Sequence, residues 1–201
     1  MTPPRTSVPP SAIGLFALAC LVALSSGRLT AAPAVADAAV VFTIADGAFT
    51  LEAPAGWERV QPKSRMVETE FAVPAAQADA AGRMTVMGAG GSVEANIERW
   101  CGQFSQPDGS ATRDKATTKK LKVAGCEVTL VDISGTFTDM PGGPFAGGPA
   151  VQRPGYRMLA AIIATPGRGN YFLKLTGPAA TIAAQQDAFR TMVEGLVASG
   201  P

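Results

Sequence analysis

The sequence predicts an α+β fold, an antiparallel β-sheet packed with helices, and three observations carry that prediction. Short apolar or alternating segments recur from residue 40 to 176, separated by turn pairs such as Asp46-Gly47 and Ala124-Gly125. Two stretches, 92–104 and 178–198, repeat their apolar residues at helical spacing instead. The polar connection from Pro74 to Gly82 suits a long hairpin loop better than a covered crossover, so the strands that flank it pair antiparallel.

The 201 residues suffice for one ordinary domain. Residues 1–36 are set apart from it as a signal peptide and processing segment, leaving 37–201 as the single domain. Arg5 precedes an apolar run over 13–24, and small residues follow at Ala31, Ala32, Ala34 and Ala36, the order of a secretory leader. As a helix the run reaches about 18 Å, short of the roughly 30 Å of a hydrocarbon layer, so no stable membrane span is expected after cleavage behind Ala32 or Ala36. The expected destination is the periplasm or the exterior. Lipid attachment at Cys20 is the lesser alternative, because Ala17 stands three positions before it and the apolar run continues through 21–24.

Loss of Arg5 and Arg28 with the leader turns the formal charge from +1 to about −1. The cations are scattered apart from Lys119, Lys120 and Lys122, and no aromatic series interleaves with them, which argues against nucleic acid. That lysine group reads as a solvated strand edge protected from further pairing. The absence of histidine excludes His-based triads, the common zinc sites and histidine general bases. Neither Ser-x-x-Lys nor Gly-x-Ser-x-Gly is present, and Lys63-Ser64 reads as surface. No catalytic residue, metal ligand or cofactor is assigned.

Taken in order, 40–44 and 48–51 form a hairpin about Asp46-Gly47, and the turn over 53–56 presents Trp57. Trp57 either covers a core edge with its indole N–H on a partner group or contributes to a recognition surface. In 66–73, Val67, Thr69, Phe71 and Val73 share one face while Glu68 and Glu70 share the other, and 83–87 supplies the next strand. Ser92 is the expected N-cap of a helix whose apolar face is Val93, Ile97, Trp100, Cys101 and Phe104. Asn96 falls between those positions, either hydrogen-bonded inside or on the flank. The preceding Gly88-Ala-Gly-Gly lacks both the last glycine of a dinucleotide fingerprint and the ending of a P-loop, and reads as a plain strand-to-helix turn. Residues 121–123 and 126–137 make a second hairpin. Both faces of the longer arm are mixed, which calls for a bulge or strong twist. The strands 156–164 and 170–176 form a third, and 178–198 is a helix with Ile182, Phe189, Met192, Val193 and Leu196 inward.

Cys101 and Cys126 remain after processing and form the candidate disulfide. Their sequence separation would give about 3.5 kcal/mol on the chain-entropy model. Two separately buried thiols are the alternative. Residues 139–155 are rich in Gly and Pro and read as a long loop, with Phe145 and Arg153 as its contact tip. Phe145 folding back to cap the sheet, with Arg153 as a solvated flank, is the alternative.

The opening Ala53-Pro-Ala-Gly-Trp57, the helix segment 90–104, Gly143-Pro-Phe145 in the loop, and the endings 155–162 and 171–178 resemble a family of uncharacterised exported bacterial proteins with the PsbP/Mog1-like fold. The resemblance implies an α/β/α sandwich and, since that fold serves mainly in binding, a non-catalytic role. It carries no metal ligands onto this chain, and fold alone does not transmit function. The expected activity is therefore that of a monomeric envelope or periplasmic interaction protein, with Phe145, Arg153, Tyr156 and Trp57 as candidate partner-binding residues and an unknown envelope protein as partner. Small-molecule binding is one alternative. A carboxylate-dependent hydrolase, built on a cleft pair that includes Asp132 or Asp139, is the other.

Overall fold

A computed structural model describes residues 39–76, 79–140 and 149–200. The leader, Cys20 and Phe145 lie outside the described residues. Strands β1 (Val40–Ile44) and β2 (Phe49–Ala53) form the expected hairpin, with Ile44 opposite Phe49. The tight turn is made by Ala45, Asp46 and Gly47, all at positive φ. A short strand β11 (Val197–Ala198) joins β2 to complete a three-stranded sheet.

The main sheet has eight antiparallel strands. Its order is β3 (Glu58–Val60), β4 (Thr69–Val73), β5 (Gly82–Ala89), β10 (Gly169–Pro178), β9 (Val151–Thr165), β8 (Cys126–Asp139) and β6 (Phe104–Ser105). The remaining strand, β7 (Thr117–Val123), pairs with the first half of β8. Each side buries its own apolar cluster. Phe71, Val86, Val128, Ile163 and Leu173 meet Phe42 and Leu51 of the small sheet, together with helices α3 (Ala179–Ala184) and α4 (Gln186–Glu194). On the opposite side Val131, Ile133, Met158, Ile162 and Phe172 meet Ile97, Trp100 and Cys101 of helix α1 (Val93–Cys101). Burial of such side chains on both faces, at about 25 cal/mol per Å² of apolar area, is what holds the layers together. The result is the predicted α/β/α arrangement, with a small sheet sharing one outer layer.

Local chemistry sets the helix ends. The Ser92 hydroxyl accepts the Ala95 N–H at 3.1 Å, and Gly102 closes α1. Asn96 is buried and satisfied, for its amide donates to the carbonyls of Gly90 and Ser92 and its oxygen accepts from Arg99. The glycine turn is thereby tied to its own helix. A four-residue helix, α2 (Thr112–Lys115), interrupts what the sequence presents as an irregular excursion.

Three expectations are corrected. First, Cys101 and Cys126 are not disulfide-bonded; both are free buried thiols. Cys101 belongs to the cluster under α1 and Cys126 to the cluster on the other side, so the sheet itself separates them. Burial pushes both thiols up. Non-reducing peptide mapping of the unreduced protein should recover both as free thiols, and alkylation should require unfolding; a linked peptide pair would overturn this. Second, 178–198 is not one helix. It breaks at Gln185, whose side chain accepts the Trp57 indole N–H at 2.9 Å, and this break lets Ile182 of α3 and Phe189 of α4 enter the same core. Third, the strands β8 and β9 run deep into the segment expected to be loop. Arg153 faces Phe137 and Tyr156 faces Gly135, so Pro154 and Gly155 together oppose Thr136 in a β-bulge. A bulge tolerates a proline, which has no N–H to give to the ladder.

Candidate functional site

The side of the sheet that carries α1 holds an unusual polar floor. Parity along β10 sends Phe172 and Lys174 to this side while Leu173 and Leu175 enter the opposite core. Lys174 lies between Thr85 of β5 and Ala160 of β9 in register. Its ammonium donates to Oε1 of Gln103, just beyond the end of α1, at 2.6 Å, and sits 5.5 Å from the centre of the Phe137 ring. The side chain is half-buried. Burial pushes its pKa down to about 8. Arg83 and Arg99 add to the fall, and Asp139 opposes it. No carboxylate lies within salt-bridge distance of Lys174 among the described residues.

Around this amine the sheet arranges aromatic and cationic groups. Phe137 packs on Phe104 at 5.1 Å and stacks with Tyr156 at 6.2 Å between ring centres, nearly parallel. Because of the bulge, Arg153 shares this side with Tyr156, and its guanidinium meets Asp139 at 3.3 Å. Arg83 projects from β5 and binds Glu70 of β4 through Nε at 2.7 Å and Nη2 at 2.8 Å. Glu70 is 2% exposed, with a further bond from the Lys63 backbone N–H at 3.2 Å. Its carboxyl is held below the usual value chiefly by the bond to Arg83, against an opposing push from burial.

Of the residues singled out from sequence, Arg153 and Tyr156 meet on this floor. Trp57 does not: it is 3% exposed, on the other side of the sheet, packed near Phe71 and bonded to Gln185. Phe145 lies outside the described residues. Sequence reasoning missed Lys174, Gln103, Arg83 and Arg99. One signal was available, since Lys174 is the one charged residue in Tyr171-Phe-Leu-Lys-Leu175, an otherwise apolar interior strand.

The two carboxylates considered for hydrolysis are not brought together. Asp139 lies on the α1 side. Asp132 lies on the other, in a cleft of about 460 Å³ between Gln106, Lys115 and Arg157. There Arg157 binds it through Nε at 2.9 Å and Nη2 at 2.6 Å while also reaching Oε1 of Gln186, and Asp132 in turn raises the Arg157 pKa. A carboxylate held by a bidentate guanidinium serves as a clamp for strand and helix rather than as a proton carrier.

Among solved structures, the chain is similar to the cyanobacterial PsbP (CyanoP) of Synechocystis sp. PCC 6803, at a TM-score of 0.50 and 12% identity over 86% of this chain and 100% of that one. The fold is PsbP-like. A Pseudomonas aeruginosa protein of unknown function, PA94, is matched at a TM-score of 0.46 and 13% identity over 81% of this chain and 99% of that one. No family model and no curated protein sequence matches the chain. The PsbP likeness concerns the path of the backbone, and the floor around Lys174 is described from this chain's own residues. Among the described residues no helix is long and apolar enough to cross a membrane, and no three Cys, Asp or Glu side chains group as for a metal ion.

Proposed function

We propose that residues 37–201 form an exported binding module that recognises an acidic group on its partner or ligand through the floor under α1. One observation carries this reading: Lys174, with the neutral Gln103 as its hydrogen-bond partner, feels the charges of Arg83 and Arg99 on a side that also presents Arg153 and Tyr156. An anion entering there relieves cation–cation repulsion and gains charge-assisted hydrogen bonds, while Phe137 and Tyr156 offer apolar contact to the rest of the partner. The sequence expectation of an interaction protein is thus narrowed to one chemistry. Arg153 and Tyr156 remain its contact residues, Lys174 joins them, and Trp57 serves the core.

The test follows the Lys174 side chain by NMR in isotope-labelled protein during titration with succinate and with a Glu/Asp-rich peptide. Without ligand its titration midpoint should be about 8, and a bound acid should raise it. By linkage, affinity should fall as pH rises through that region, because the amine loses the charge that holds the acid. Lys174→Met should weaken binding by roughly tenfold to a hundredfold, the worth of one charge-assisted hydrogen bond, whereas Arg190→Ala on α4 should leave it unchanged. A Lys174 midpoint that no acid moves overturns the proposal.

A further inference from the structure

Five of the six lysines in the mature chain, Lys63, Lys115, Lys119, Lys120 and Lys122, are exposed. Lys174 alone is held inside a sheet face, with its nitrogen positioned by one acceptor and with two guanidinium groups near enough to repel its proton. Placement of a lysine beside other cations and away from water is a general means of making its amine a nucleophile. With a pKa of about 8, roughly a tenth of the amine is unprotonated at pH 7, against about one part in three thousand for an ordinary lysine.

We propose that Lys174 captures small carbonyl acids covalently, its amine adding to the carbonyl of an aldehyde acid or 2-oxo acid while the neighbouring guanidinium groups take the carboxylate. The inference rests on the reading that this floor accepts an acidic group, and it names the class of ligand. Arg83 uses Nε and Nη2 on Glu70, which leaves Nη1 for an incoming anion. Arg99 arises from the last turn of α1, near Gln103. Arg83 of β5, Arg99 of α1 and Asp139 of β8 are the charged groups that act on the amine, and Asp139 is itself paired to Arg153 of β9. Gln103 Oε1 accepts one amine hydrogen, which leaves the lone pair of the neutral amine the two remaining directions, and the Phe137 ring centre lies 5.5 Å from the nitrogen.

The step is balanced without redox. The lone pair of the neutral amine forms a C–N bond to the carbonyl carbon, the C=O π pair moves to oxygen, and proton transfer from nitrogen to oxygen gives a carbinolamine. Loss of the oxygen as water leaves the imine, and hydrolysis reverses the sequence. The product is a reversible, anion-bearing adduct rather than a turnover.

The experiment treats the exported protein at pH 7 with glyoxylate and cyanoborohydride, which reduces an imine to carboxymethyl-lysine, and reads each lysine by peptide mapping over time. Lys174 should be labelled at least about tenfold faster than Lys119 and Lys120, as its larger neutral fraction requires. Glycolate, an acid without the carbonyl, should slow it, and propanal, a carbonyl without the acid, should keep the preference that comes from the neutral fraction and lose the part that glycolate suppresses. The Lys174→Arg protein, if folded by thermal melting, should show no fast site. Labelling of Lys174 no faster than the surface lysines overturns covalent capture. If succinate still moves the Lys174 titration in that case, the acid-binding reading stands; if it does not, both fall. Fast labelling that glycolate leaves unaffected overturns the role given to the guanidinium groups.

Discussion

Gly135→Ala should cost about 3 kcal/mol and lower the melting temperature by roughly 6–12 °C. Gly135 sits at φ +150 on β8 beside the bulge of β9, and a Cβ there would lie 2.6 Å from the Ser105 carbonyl oxygen and 2.9 Å from Nε2 of Gln106. The first neighbour is backbone of β6, which pairs with β8 at this point, so relief requires the edge strand to move. The second is already engaged with the Ser134 carbonyl at 2.8 Å and Thr112 at 3.2 Å. Gly90→Ala is the control: nothing lies within 4 Å of the added carbon, and the change should stay within about 0.5 kcal/mol. The bulge also decides which way Arg153 and Tyr156 face, so Gly135→Ala should weaken acid binding as well as stability. Equal melting of the two variants would contradict the account of the bulge.

Arg83→Met should destabilise the domain by about 3 kcal/mol at pH 7, because it leaves the Glu70 carboxylate buried with only the Lys63 N–H. The Arg83 side chain is itself 46% exposed, which keeps the loss below that of a pair sealed on both sides. Glu70→Gln in the same chain should restore most of the loss, since the uncompensated charge is then gone. The pH dependence has a definite sign. Glu70 in the native protein has its pKa held below 4.5, so its contribution is present above the unfolded value and is lost as pH falls through the folded one. In Arg83→Met the desolvation is unopposed and Glu70 protonates more readily. The gap between the two proteins in urea denaturation should therefore narrow from pH 7 to pH 4. A gap independent of pH would mean that Arg83 acts by packing alone.

Much of the fold was legible because period and punctuation agree along most of the chain. Asp46-Gly47, Ala124-Gly125, Ser92 and the parity of 66–73 each specify backbone geometry locally, and local specification is what sequence carries. The failures have a common cause in contacts distant along the chain. Alternation places Glu70 outward with Glu68, but Arg83 and the Lys63 N–H meet it, so its side of the strand is closed as well. Pro154-Gly155 carries a loop signature, and only pairing with β8 turns it into a bulge. Gln185 looks like any helix residue until Trp57 reaches it from over a hundred positions away. The cysteines could be assigned to sides of a sheet only after its central order was known. Lys174 was visible as a charge in an apolar strand, yet its neighbours come from two distant segments, Arg83 from β5 and Arg99 with Gln103 from the end of α1.

The position of β10 has a consequence for the order in which the domain can assemble. The strands β8, β9 and β10 follow one another along the chain and pair in that sequence, whereas β5 finds its partner in β10 across more than eighty residues, with Arg83 opposite Thr176. Contacts of such separation form late, because the closure of a long loop precedes any gain from pairing. A nascent chain that has not reached residue 178 thus holds β3–β5 as a fragment whose inner edge has no mate, and the sheet cannot close until the carboxyl-terminal strands are made.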